Sequence, residues 1–274
     1  MALLGRRLAV SIPDSVLEDK ESQRDRTTKL GFIARACAIY GVDLIEVFRD
    51  KAGHGEGEAI GKVLEYLETP QYLRKRLYPL DETLRYAGML PPLRIPSHRA
   101  KVSMDRLGVG EVREGVVNSD GTVDIGLDSP FALKGSVGAG KRVTVRVAST
   151  RPPLVVQIPR DSVDEYWGYT VEMRSVDDVV LDARYRVKVA TSRLGAPLTE
   201  SLPRLKASLG SGGAIKLIFG SPSRGLYDIV GHDLDKRVGF VVNLFPGQQV
   251  ETVRTEEAIL VGLSLVSILC AEKA

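Results

Sequence analysis

Cysteine is scarce in this chain of 274 residues: there are two, Cys37 and Cys270, in separate apolar stretches. They read as buried reduced thiols, and their spacing offers neither a disulfide framework nor a zinc-ligand pattern. The three histidines, His54, His98 and His232, are scattered beside Gly or near Pro, so no metal is expected. Long apolar runs are missing. The longest, Ala258 to Ala271, covers 14 residues, short of the roughly 20 that span a bilayer. The first residues, MALLGRRLAV, place Arg6 and Arg7 where a secretory core would continue. A soluble, cytoplasmic chain without membrane contact is expected. Net charge is also small, +3, so overall charge does not announce a polyanionic partner.

What is present is an ordinary globular balance, 43% apolar and 27% charged. Leu8 to Ile12 reads as a strand. Thr27 to Tyr40 reads as a helix, because Leu30, Ile33, Ala34, Cys37 and Ala38 share a face, and Gly41 suits its end. Val42 to Phe48 is a second strand, which completes the unit of a parallel sheet. A second helix starts after the glycines at 53, 55 and 57 and stops at Thr69-Pro70. Pro91, Pro92 and Pro96 mark a boundary. Beyond it, short alternating segments such as "EVREGVVNSDGTVDIGL" and "KRVTVRVAS" predict a small β-barrel that closes near Arg151-Pro152-Pro153. The strand–helix pattern then resumes. Three late strands each end in small or polar residues: Ala190-Thr191-Ser192, Gly220-Ser221-Pro222, and Asn243 to Gln248. In an open parallel sheet, ligands bind beyond the carboxyl ends of the strands. A final apolar helix follows from Thr255, with Glu256 and Glu257 placed well against its dipole.

Two glycine-rich stretches imitate phosphate loops. "GSVGAGKR", Gly135 to Arg142, has Arg where a P-loop needs Ser or Thr, and it runs into a strand rather than a helix. "GHGEGEAIG", Gly53 to Gly61, has G-x-G-x-G in place of G-x-G-x-x-G. Both read better as turns. Charge is more informative by region. Between Pro92 and Val156 ten Lys or Arg face six Asp or Glu, so the insert carries +4 and the remainder of the chain −1. Phe131 is the sole aromatic of that insert, so an RNA partner would be held by its phosphates rather than by base stacking. Arg99, Lys101, Lys141 and Arg142 are the candidate RNA contacts.

"IFGSPSRGL" followed by "VVNLFPGQQVETVRTEEAIL" resembles the cofactor-binding end of the SPOUT class of RNA methyltransferases. The similarity is greatest to the archaeal and eukaryotic branch with an OB-like barrel insert. Its motifs have counterparts at Ile33–Asp43, Thr69–Leu80, Arg113–Val117, Arg142–Val147 and Tyr166–Val171. One departure is Ala190, where that pattern more often has glycine. The resemblance implies an α/β fold: a trefoil-knotted parallel sheet flanked by helices, with an inserted OB-like β-barrel. Residues 1–91 and 157–274 would form the methyltransferase domain and 92–156 the insert. It implies S-adenosylmethionine as cofactor, held by Thr191, Ser192, Gly220, Ser221, Pro222, Asn243, Phe245, Pro246, Gly247, Gln248 and Thr252. A homodimer is expected, and the last helix, with Leu260, Leu263 and Leu265, is its natural interface because it carries more hydrophobe than one buried stripe needs, core packing being the alternative. Arg254 and Arg26 are the candidate catalytic residues, Arg26 reaching the partner's site, since no histidine lies near the loops to act as a base. The expected substrate is ribosomal RNA, with uridine N3 as acceptor and ribose 2′-O as its rival. The competing reading is an RNA-binding or assembly protein that keeps the fold without transferring a methyl group.

Overall fold

The computed structural model describes residues 6–50, 55–99 and 104–271. By contacts the chain divides into two compact units: 1–65 with 86–90 and 169–274, and 66–85 with 91–168.

The first unit is built on a six-stranded sheet in which every pairing is parallel. Its strands are β1 (Leu8–Pro13), β2 (Leu44–Arg49), β8 (Thr170–Ser175), β9 (Val187–Pro197), β10 (Ile215–Ile218) and β11 (Phe240–Asn243). Their order across the sheet is β11-β9-β10-β1-β2-β8. The helices are α1 (Gln23–Ile39), α2 (Gly57–Glu68), α4 (Val176–Val180), α5 (Leu198–Gly210), α6 (Leu226–Val230), α7 (Leu234–Arg237) and α8 (Thr255–Ala271). The last turn of α2 passes into the second unit. Helix α1 starts earlier than its apolar stripe suggests, because the Ser22 hydroxyl caps it by accepting the Asp25 N–H at 3.0 Å.

Strand β10 shows why its sequence reads as an unbroken apolar run. Ile218 joins a core with Val179, Val180, Leu226, Ile229 and Leu234. On the opposite face, Leu217 and Phe219 lie against Gly262 of α8. A strand buried on both faces has no polar side to alternate with. The exception is Lys216, fully buried, whose amine lies 2.7 Å from Glu46 and 3.0 Å from Asp182.

The second unit holds a closed barrel of order β3-β4-β5-β7-β6. Its strands are β3 (Val112–Val117), β4 (Thr122–Asp124), β5 (Phe131–Lys134), β6 (Arg142–Thr150) and β7 (Pro153–Gln157). All pairings are antiparallel except β5 with β7. The barrel's unit takes in residues on both sides of the 92–156 insert, including α3 (Gln71–Leu77). "GSVGAGK" forms the glycine-rich link from β5 into β6, with Gly135 and Gly140 at positive φ. It opens a strand, so the geometry of a P-loop is absent there. In the other glycine stretch, residues 53 and 54 lie outside the described residues, and α2 begins at Gly57.

Candidate cofactor cleft

Three segments, one looping out within β9 and two following the carboxyl ends of β10 and β11, line one cleft of about 260 Å³. The first wall comes from a break in pairing. Val241 pairs with Ala190, but its neighbour Val242 pairs with Ala196. Residues 191–195 therefore loop out of the ladder, and Thr191 and Ser192 turn into the cleft. Gly195 closes this excursion against the backbone of Val241, where an added Cβ would sit 2.8 Å from the carbonyl.

The second wall follows β10. The Ser221 N–H donates to the Arg224 carbonyl at 3.0 Å, folding the loop back on itself. Gly220 sits inside that fold, where a Cβ would lie 2.9 Å from the Arg224 carbonyl oxygen. Glu18, which the sequence did not single out, holds this loop from outside. One oxygen of its carboxylate accepts from the Ser221 hydroxyl (2.6 Å), the Ser223 N–H (2.9 Å) and the Ser223 hydroxyl (2.6 Å). Burial alone would raise the Glu18 carboxyl, but these bonds and the Arg224 charge outweigh it and hold it below the usual range. Arg224 lines the cleft and is itself paired with the buried Asp50. Nothing in periodicity or motif spacing marks Glu18 or Asp50, since both act through chain segments distant in sequence.

The third wall follows β11, and here the dense amides have a local use. The Asn243 side chain accepts the Phe245 N–H at 2.9 Å and donates to the Arg193 carbonyl at 3.1 Å. Gln248 donates to the carbonyls of Val250 (2.9 Å) and Glu251 (3.1 Å). The loop is thus braced by its own side chains, and Thr255, at the start of α8, reaches the Gly220 carbonyl at 3.3 Å. Phe245 and Thr252 also line the cleft, whereas Pro246 and Gly247 form an exposed turn away from it.

Neither candidate catalytic arginine borders this cleft within one chain. Arg254 is exposed beside a second depression that includes Lys29, Phe32 and Glu256. Arg26 pairs with Glu56 and donates to the Lys20 carbonyl at 2.9 Å. Leu263 of α8 is fully buried in the core, while Leu260, Val261 and Ile268 are exposed. Of the candidate RNA contacts, Lys101 lies outside the described residues. Lys141 is exposed, and Arg99 pairs with Glu165 at 3.3 Å. Arg142 is engaged inside its unit, 2.7 Å from Glu68 and 2.5 Å from Glu114. Its charge is balanced there, so it offers little to a phosphate.

Among the described residues no helix is long and apolar enough to cross a membrane, and no cluster of three metal-ligating side chains occurs. A family model described as "Putative RNA methyltransferase" matches residues 7–266. An uncharacterized protein of Halobacterium salinarum is 34% identical over 286 aligned positions, covering 95% of this chain and 98% of that protein. The human 28S rRNA (uridine-N(3))-methyltransferase is 33% identical, covering 94% of this chain and 77% of that protein. A methylase-family structure from Neisseria gonorrhoeae aligns over 98% of this chain and 83% of its own, at 10% identity and a TM-score of 0.40.

Proposed function

The chain belongs to this RNA methyltransferase family, and from that premise we propose that it uses S-adenosylmethionine to methylate ribosomal RNA at N3 of a uridine. The observation that carries the reading is the single cleft at the carboxyl edge of β9, β10 and β11, walled by small and amide residues. The cleft suits a zwitterionic nucleoside. Gly220 lets one wall fold tightly where any side chain would collide with backbone, and the small residues Ser221, Ser192 and Thr191 line the space. Thr191, Ser192, Gly220, Ser221, Pro222, Asn243, Phe245, Gln248 and Thr252 would hold the cofactor. The turn at Pro246 and Gly247 would shape the third loop rather than touch the ligand. The knotted threading that the resemblance implies belongs to the same proposal.

When bound, the cofactor supplies a methyl group on a sulfonium, already a strong electrophile. The chain's task is then to place a nucleophile in line and to stabilise the charge that develops on it. Uridine N3–H is mildly acidic, so its proton can leave to bulk water while a guanidinium near the base stabilises the N3 anion that takes the methyl group. Arg254 and Arg26 are the candidates for that role. Neither borders its own chain's cleft, so the assignment requires a second copy. The paired helices α1 and α8 favour one: they pack side by side and leave Phe32, Ile39, Leu260, Val261 and Ile268 exposed. Two buried free cysteines fit a reducing cytoplasm.

Nucleoside mass spectrometry of ribosomal RNA incubated with protein and S-adenosylmethionine should show 3-methyluridine. A ribose-methylated product would move the acceptor to the 2′-oxygen. Calorimetry without any heat on adding S-adenosylmethionine would favour the assembly-protein reading.

A further inference from the structure

The second unit presents two sides of different character. On one, Glu114 of β3 and Arg142 and Thr144 at the start of β6 are covered by their own unit. Glu114 accepts from Thr144 (2.6 Å) and Trp167 (2.5 Å) and pairs with Arg142, while Tyr72 of α3 donates to the Glu114 carbonyl at 2.9 Å. On the other side, formed by β5, β7 and the middle of β6, Ala132, Lys134, Arg146 and Ala148 are exposed among the described residues. Phe131, Val143, Val145, Val147 and Val155 point inward and build the barrel core. By strand alternation, Ala132, Lys134, Arg146, Ala148, Leu154 and Val156 point outward.

Register places two of these cations in one row. Val156 is paired with Lys134 on one side and with Arg146 on the other. Two strand spacings put their Cα atoms about 10 Å apart across a neutral floor. Both side chains are exposed, and neither has a carboxylate partner among the described residues. The three strands contain no Asp or Glu. Arg151, exposed in the β6–β7 turn, extends the positive edge. The neighbouring β4 is different, since it ends in Asp124, paired with Arg76 at 3.2 Å, and follows Asp120.

We propose that the outer face of β5, β7 and β6, centred on Lys134 and Arg146, is the surface on which the barrel tracks an RNA phosphate backbone. The proposal rests on the RNA methyltransferase reading and deepens it. It moves the grip away from Arg142, whose charge is already balanced. With no aromatic side chain among the three outward rows, the face cannot stack bases. Binding there is therefore electrostatic and tolerant of sequence.

The test uses the full chain and a labelled single-stranded RNA of mixed sequence, titrated over a series of salt concentrations. In the Lys134→Gln/Arg146→Gln variant the slope of log affinity against log salt should fall by about 1.4, two contacts at roughly 0.7 each. The circular dichroism spectrum and thermal midpoint should be unchanged, which reports that the variant is folded. An unchanged slope in this variant, with salt-dependent binding by the parent, overturns the surface and leaves the methyltransferase reading intact. A parent whose RNA binding ignores salt overturns the surface too. The methyltransferase reading itself stands or falls on the separate nucleoside measurement.

Discussion

At the scale of single residues, Gly220 is the most exposed to test. A methyl group there would meet the Arg224 carbonyl at 2.9 Å, and a backbone oxygen cannot rotate away as a side chain can. Gly220→Ala should therefore push the β10 loop and weaken S-adenosylmethionine binding at least tenfold, read by calorimetry, with the barrel unaffected. His98 gives a second test. Its Nε2 lies 2.6 Å from the Glu68 carbonyl, which makes that nitrogen the donor, and its Nδ1 is buried without a partner among the described residues. Burial, with Arg74 and Arg142 nearby, pushes its pKa down to about 4 from the usual 6.5 or so. The unfolded chain then binds the proton that the folded chain refuses. Stability from this site is complete above about pH 6.5 and is lost as pH falls toward 4. Between pH 7 and pH 5 the loss should approach about 2 kcal/mol. His98→Gln should flatten the fall of the thermal midpoint over that range. Equal slopes for variant and parent would refute the assignment.

At the scale of elements, the sequence was legible wherever one principle governed a segment. The stripe Leu30, Ile33, Ala34, Cys37 of α1 and the alternation through β6 both state their geometry outright. The three loops of the cleft were readable because small residues at strand ends have few other reasons to recur. What escaped was interaction between distant segments. The five-residue excursion inside β9 depends on how β11 pairs beside it, and no local pattern encodes that. Glu18 reaching the Ser221 loop, and Arg142 turning inward to Glu68 and Glu114, are equally matters of tertiary placement. So is Lys216, a lysine in an apolar strand. Replacing it with Met removes the nearest cation from the fully buried Glu46 carboxylate and leaves Arg184 and Arg174 at 3.6 and 3.7 Å, so the loss should lie below the roughly 3–5 kcal/mol of a buried charge left wholly unpaired. Urea denaturation of Lys216→Met should show that loss. The Lys216→Met/Glu46→Gln double variant should recover part of it.

At the scale of the molecule, the chain divides into a sheet unit and a barrel unit, and under the proposed function these would take separate tasks, methyl transfer and RNA capture. Association belongs at this scale as well. Sedimentation at micromolar concentration should show a dimer, and Leu260→Glu with Ile268→Glu should shift it to monomer. If Arg26 serves the partner's cleft, mixing an Arg26→Ala chain with a Gly220→Ala chain should restore part of the activity that each lacks alone. Purely monomeric parent protein would remove that role from Arg26.

The cleft draws its walls from residues 191 to 258, and its last wall hangs from β11, the strand at the sheet's edge. During synthesis, then, no partial version of the cleft can be useful. All five barrel strands leave the ribosome before β9 does, while the cleft still lacks every wall. A nascent chain arrested before Phe240 would hold the whole barrel and a cleft short of one side. Under the proposed roles, the order of translation would make capture available before catalysis.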